Sequence, residues 1–317
     1  MITMYGAFYL ILVPLSVFMV VFDELVREKV DHLRQGMELL GTLNSAYWAS
    51  WLISATALNL LTNLEMMVIG TYYFKFSAFV RSPMPVMYAI LVATTQSYIV
   101  MACMLSTVTN NRTQAFSINF SLVLVSMVTN IIISEPSTLK KIFFNLDNSP
   151  YFNIVGSLFY LNPCFQFAKM FADIAGVACA YLDPETFTWN TSKRVFEYAD
   201  VFREQSGVFL SRDRYHVVSM FDTGLTLVYL MAFYGLIGWY FDNTLSQNRG
   251  VPLPKLFFLS PSYWLPCLRS RKYQSQCLED LMSFEEKHPN LDKLTQALDN
   301  EKRIFKAERA YEKISEE

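Results

Sequence analysis

A chain of 317 residues that is 53% hydrophobic and only 17% charged falls outside the range of soluble domains, which carry about 25% charged residues. Its net charge of −2 excludes the strongly basic face of a nucleic-acid binder, so nucleic acid is not an expected partner. The cysteines Cys103, Cys164, Cys179, Cys267 and Cys277 show no metal-ligand spacing, and no metal or other cofactor is expected in the chain itself.

The apolar residues gather into blocks that suit a bilayer, whose hydrocarbon core takes about 20 residues of helix. Spans are expected at about 5–22, 46–74, 84–108, 116–134 and 220–241. No Lys or Arg precedes Arg27, so the first block reads as a retained span rather than a signal peptide. Pro14 inside it is tolerable where neighbouring helices satisfy the freed backbone groups. Residues 151–181 are apolar but broken at Asn162-Pro163, and they carry Lys169 and Asp173. Two short helices forming a re-entrant outer hairpin fit this stretch better than a single span. Lys169 and Asp173 stand four apart and are expected to pair. Residues 183–218 are polar, with both signs of charge, and read as an outer solvent-exposed loop. Beyond Phe241, Gly250, Pro252, Pro254 and Pro261 favour an extended path. Residues 265–317 read as a charged, helical inner-side tail.

Charge placement orients these spans. Twelve Lys and Arg follow Phe241, and Arg27, Lys29 and Arg34 lie between the first two spans. Basic loops favour the cytoplasmic or matrix side, which puts residues 24–41 and the tail inside and the N-terminus outside.

Residues 24–41 read as an amphipathic helix on that inner surface. Val26, Val30, Leu33, Met37 and Leu40 make an apolar stripe at helical spacing. Arg27 and Asp31, and Arg34 and Glu38, are spaced to pair across one turn. Gly41 is a natural stop, Asn44 or Ser45 can cap the next helix, and Tyr47, Trp48 and Trp51 suit the membrane interface. Glu65, inside the second span, is an ionisable group at membrane depth and so a functional candidate. It could equally face Asn63, a tyrosine or water in the bundle interior, or sit near the interface.

Several strings resemble the A subfamily of ABC transporters. Glu28-Lys29, Leu33-Arg34-Gln35-Gly36-Met37, Leu40-Gly41 and Tyr47-Trp48-x-Ser50-Trp51 resemble its coupling-helix region and the span that follows. Trp239-Tyr240-Phe241-Asp242-Asn243, Gly250-Val251-Pro252-x-Pro254, Phe257-Phe258 and Pro261-Ser262-Tyr263-Trp264 resemble its segment after the last span. Leu161-Asn162-Pro163 resembles its broken outer helices. The resemblance covers about residues 5–264. It implies an all-α polytopic domain of about five spans over residues 1–264, with an inner coupling helix and a re-entrant outer hairpin. Arg27, Glu28, Lys29, Arg34 and Glu38 would form the docking face. Gly41, Trp48, Trp51, Pro163, Trp239, Asp242, Asn243, Pro252 and Trp264 would hold the structure.

The sequence also departs from the family. It has no GxxxxGK[ST] loop to cradle phosphates, no ABC signature sequence, and no counterpart of the family's earlier span and ectodomain. The expectation is therefore a lipid-transporting permease subunit that is not itself an enzyme. ATP would act only through a partner chain. The alternative is a permease-derived, non-transporting subunit of a larger membrane complex, whose other subunits cover the coupling helix. Membrane lipids are expected partners in either case. The resemblance implies a plasma membrane or endomembrane location, and the alternative allows an organelle inner membrane.

Overall fold

The computed structural model describes residues 9–133, 159–178, 195–208 and 214–245, with the short pieces 139, 142–145, 156, 181–183, 188–190 and 255–259. Pro252, Trp264 and the tail at 265–317 lie outside them. The chain divides into two compact units, Met1–Pro252 and Leu253–Glu317. In the second, the described residues form a short 3-10 turn, Phe257–Leu259, in which Phe257 is buried.

The first unit begins with α1, Leu12–Val30. The expected break between a span at 5–22 and an amphipathic helix at 24–41 does not occur there. One helix carries the chain from the apolar block through Asp23, Glu24, Arg27, Glu28 and Lys29. Its buried face explains the continuity, because Leu15, Phe18, Phe22, Leu25 and Val26 all pack into the core. Phe18 stacks on Phe22 and meets Tyr98 edge-on, with centroids 5.5 and 5.9 Å apart. The break falls at His32, which takes a left-handed φ of 56°. This conformation is uncommon outside glycine, although histidine is among the residues enriched in it. The chain turns there into the short helix α2, Leu33–Leu39. The expected continuous stripe is therefore cut in two. Val26 is buried, while Leu33 and Leu40 stand exposed.

Helix α2 ends as its sequence indicates. Gly41 takes φ +92°, and the Thr42 N–H donates to the Met37 carbonyl at 3.0 Å. This is the glycine-closed motif that satisfies the last helical carbonyls. Next come α3, Asn44–Val68 with a π-helical extension Ile69–Tyr73, a single turn Ser77–Val80, α4, Met84–Val108, and α5, Arg112–Ile133. Then follow α6, Pro163–Ala178, and α7, Met220–Thr244.

Among the described residues, four helices are long and apolar enough to cross a membrane: α3 with its extension, α4, α5 and α7. Helix α1 is not one of them, and residues 5–8 of the expected first span are outside the described set. Helix α4 is the centre of the bundle, with α7, α1 and α3 packed around it. Of its most apolar window 61% is buried, against 22% in α3 and 28% in α5 and α7.

The outer helices are polar inside and apolar outside. On α5, Asn119, Ser126, Thr129 and Asn130 are buried, while Phe116, Phe120, Leu124, Val128 and Ile131 are exposed. In water this arrangement would be unstable; in lipid it is the favourable one, because hydrocarbon is a poor partner for amides and hydroxyls. The buried polar groups bond one another between helices. Asn59 Nδ2 donates to Val92 O at 3.1 Å and to Gln96 Oε1 at 3.0 Å, and Asn63 Nδ2 donates to Thr95 Oγ1 at 3.2 Å. These bonds fasten α3 to α4.

Helix α7 approaches α4 backbone to backbone at Gly238. A Cβ placed there would lie 3.2 Å from Met104 Cα, a main-chain atom that cannot rotate away. Small residues permit such close helix packing in membranes. Gly238→Val is accordingly expected to push α7 outward and to destabilise the fold by about 2 kcal/mol, as overpacking does. Unfolding of the detergent-solubilised protein measures this, and a cost near zero would refute the close approach.

The opposite end of the bundle departs from the all-α expectation. The polar stretch is not a plain loop. It holds two antiparallel ribbons, β1 (Tyr181–Asp183) with β2 (Thr188–Asn190), and β3 (Gln205–Val208) with β4 (Arg214–Val217). A capped 3-10 turn, Tyr198–Phe202, precedes β3. Asn162-Pro163 is a helix start: Asn162 Oδ1 accepts the Cys164 N–H at 3.0 Å, and proline suits the first helical position. The other arm of the expected hairpin lies mostly outside the described residues. The Lys169–Asp173 pair forms, at 2.6 Å.

Candidate functional site

The functional candidates converge where α1, α2, α3, α4 and α7 end together. Asp242, near the end of α7, is the hub. Arg34 Nη2, from α2, lies 2.8 and 3.0 Å from its two carboxylate oxygens. Asn44 Nδ2 and Trp48 Nε1, both from the first turns of α3, each donate to Asp242 Oδ2 at 3.0 Å. Arg34 also donates to Asn44 Oδ1 at 2.6 Å. Its guanidinium sits 4.8 Å from the Tyr47 ring and 5.0 Å from the Trp48 ring, within cation–π range. The Arg34 and Asp242 side chains are only 15% and 8% exposed, so solvent screens the pair little.

A second carboxylate organises the neighbouring turn. Glu28 Oε2 accepts from Tyr47 Oη at 2.8 Å and from Trp51 Nε1 at 3.0 Å. This ties α1 to α3. The aromatics read from sequence as an interface anchor are thus hydrogen-bond donors to two acids, buried Asp242 and half-buried Glu28. Asn44 is not a helix cap: α3 begins after Leu43, and the Asn44 amide is spent on Arg34 and Asp242.

Lys29 caps the end of α4. Its ammonium donates to the carbonyls of Ser106, Thr107 and Thr109 at 3.2, 2.8 and 2.8 Å, groups that a helix end leaves without partners. Burial, and then the positive charge of Arg34, push its pKa from 10.5 down to about 8, with Asp242 acting the other way. Between those two values the unfolded chain holds a proton that the folded chain has released. Folding stability therefore rises with pH across that window. The unfolding midpoint in detergent is expected to climb between pH 8 and 10, and Lys29→Met to flatten the climb. An unchanged slope in that variant would remove Lys29 as its source.

One of the expected pairs is rearranged. Arg27 bridges to Glu24 at 2.7 Å rather than to Asp31. Asp31 pairs with Arg112 of α5 at 2.6 Å. Arg34 meets Asp242, and the side chain of Glu38, its expected partner, lies outside the described residues. Asn243 donates to the Trp239 carbonyl within its own helix at 2.8 Å. Pro163 opens α6 at the other end of the bundle and has no part in this cluster. Glu65 is exposed on α3, whereas its neighbours Asn59 and Asn63 are the buried residues. Among the described residues no group of His, Cys, Asp or Glu could hold a metal ion.

Chemically the cluster is a latch. It contains no nucleophile paired with a base, and its acids are consumed by hydrogen bonds. It fixes α2 against the ends of α3 and α7. It leaves Leu33, Gly36 and Leu40 of this segment, and Leu43 beside it, on the surface.

Such a helical bundle, with lipid-facing apolar residues and a latched polar end, defines an integral membrane protein. Its homology is to ABC transporters of the A family. The chain is 25% identical over 242 residues to ABC transporter A family member 1 of Dictyostelium discoideum, which covers 75% of this chain and 26% of that protein. It is 27% identical over 259 residues to A family member 2 of Arabidopsis thaliana, 82% of this chain and 24% of the relative. It is 24% identical over 254 residues to A family member 11 of the same plant, 78% of this chain. The chain spans about a quarter of the length of these relatives. No protein-family model matches it.

Proposed function

We propose that this chain is the membrane-spanning, permease part of a lipid transporter of the ABC A type, driven by a nucleotide-binding domain on a partner polypeptide. The observation that carries the reading is the meeting of Arg34, Trp48 and Asp242. They come from the strings that resemble the family's coupling region and its post-span segment, and they close one latch. A latch of this kind gives α2 a fixed position from which a push can pass into α3 and α7. Glu28, Lys29 and Arg34 are engaged within the chain, so the docking surface moves to Arg27 and the exposed Leu33, Gly36 and Leu40. ATP would bind and be hydrolysed on the partner, with α2 on the cytoplasmic side.

The test is purification in mild detergent, followed by reconstitution into lipid vesicles. Support requires a stoichiometric ABC ATPase in the assembly and ATP-dependent movement of a fluorescent phospholipid that Leu40→Glu abolishes without dissolving the fold. A stable assembly with no ATPase, whose other subunits cover α2, would refute this reading and favour a structural subunit derived from a permease.

A further inference from the structure

The 3-10 turn Tyr198–Phe202 stands at the ribbon end of the bundle, beside the first turn of α7, and it is held from behind. Phe196 is buried, and its N–H donates to the Arg81 carbonyl at 2.9 Å. This ties the segment to the connection between α3 and α4. Val201 packs against the main core. A capping box closes the turn, with the Glu197 N–H donating to Asp200 Oδ2 at 3.0 Å. The same fixed segment leaves Val195, Tyr198 and Phe202 exposed. An apolar cluster held outward in this way marks a contact surface.

That surface continues the lipid-facing side of α7. The Phe202 ring meets the Phe221 ring with centroids 5.1 Å apart. Phe221, Leu225, Val228, Ala232, Leu236 and Trp239 are exposed at spacings of three and four, one stripe along the spanning helix. Phe221 and Trp239 are 18 residues apart, about 27 Å along the helix, close to the roughly 30 Å of the hydrocarbon core. They therefore mark its two edges. Phe202, lying on Phe221, is level with the headgroup layer. Tyr72, Tyr73 and Phe74 are exposed at the same end of α3, as befits an aromatic belt. Residues 197–204 carry Glu197, Asp200 and Glu204 against Arg203. Attraction to anionic lipid therefore does not seat the turn, and apolar contact must.

We propose that the turn Tyr198–Phe202 is seated in the headgroup layer of the bilayer, with Tyr198 and Phe202 inserted beside Phe221, and that it holds the ribbon end of the bundle against the membrane surface. The inference does not rest on transport. It needs only that α7 spans the membrane.

The test uses the purified full chain in phosphatidylcholine vesicles. A fluorescent amino acid is genetically encoded at position 202 or, for comparison, in β3 at exposed Ser206. Quenching is read with phosphatidylcholine that carries a nitroxide either just below its headgroup or near the end of its acyl chain. The shallow nitroxide is expected to quench position 202 about threefold more than position 206, and more than the deep nitroxide does, as for a group at the interface. With the probe at Tyr198 instead, Phe202→Glu is expected to lower the quenching to the level of position 206. Equal quenching at 202 and 206, stronger quenching of 202 by the deep nitroxide, or no effect of Phe202→Glu would overturn the proposal. So would quenching at 202 that rises as the chain is diluted with lipid, which assigns the face to a second copy. Quenching that appears only when phosphatidylserine is added would also overturn it, by assigning the contact to charge.

Discussion

Asp242→Ala is expected to destabilise the folded protein by about 3–5 kcal/mol, the cost of breaking a buried ion pair by removing one partner. The loss has several parts. The Arg34 guanidinium, 15% exposed, keeps its charge and loses two contacts of 2.8 and 3.0 Å. Trp48 Nε1 and Asn44 Nδ2, both half-buried, lose their common acceptor, at the lower end of the about 1–3 kcal/mol that an unsatisfied buried donor costs. Asp242→Asn retains one oxygen and should cost roughly half as much. Arg34→Lys should not rescue the site, because an ammonium is a compact point charge and lacks the planar face that stacks on Tyr47 and Trp48. The double variant Arg34→Met with Asp242→Leu should recover much of the loss, since it leaves no buried charge alone. Chemical unfolding in detergent, run as a double-mutant cycle, measures all of these. A cost below about 1 kcal/mol for Asp242→Ala would mean that the latch does not hold this end of the bundle.

Lys169→Met is expected to have the second largest effect, about 3 kcal/mol. Lys169 is 1% exposed, and its ammonium bridges α6 to the entry of α7. It meets Asp173 Oδ2 at 2.6 Å and the carbonyls of Val218 and Ser219 at 2.7 and 3.3 Å. Ser219 also caps α7, accepting the Asp222 N–H at 3.1 Å. Methionine fills a similar volume but leaves two carbonyls without this donor and removes a charge beside Asp173. Faster amide exchange over the first turn of α7, residues 220–223, should accompany the loss of stability. If exchange there is unchanged, Lys169 stabilises α6 alone and does not clamp α7.

The two variants act at opposite ends of one helix. Asp242 and the Lys169-held Ser219 are 23 residues apart, about 34 Å along α7. Between them Gly238 sets the spacing to α4. Helix α7 is thus held at both ends by single cations and registered near one end by a glycine.

Much of the architecture was legible because bilayers impose a simple code. Apolar blocks of the right length become spanning helices, and α4 runs over residues 84–108 as the hydropathy pattern indicates. Gly41 and Asn162-Pro163 are also local signals. A left-handed residue after a helix, and an asparagine before a proline, settle their own turns with little help from distant contacts. The Lys169–Asp173 pair is legible for the same reason, since i and i+4 share one helical face.

The boundary of α1 was not legible. Charges at 23–29 read as the start of a surface helix, but the burial of Phe22, Leu25 and Val26 carried the helix on to Val30. Packing against α4 and α5 outweighed the charge pattern. Local spacing also misplaced one ion pair. Arg27 and Asp31 are good partners on an isolated helix, but Asp31, at the end of α1, meets Arg112 of α5, and Arg27 bridges back to Glu24. The two ribbons after α6 are short, and no strong alternation marks them.

The sequence by itself determined that this is a membrane chain, where its long apolar helices fall, and that residues near 28–51 and near 239–243 resemble one transporter family. Only the tertiary structure decided that those two stretches are a single site. Arg34 and Asp242 are 208 residues apart, and no periodicity links positions so distant. They meet because α7 packs along α4, α4 ends against Lys29 of α1, and α1 turns at His32 to lay Arg34 beside Trp48.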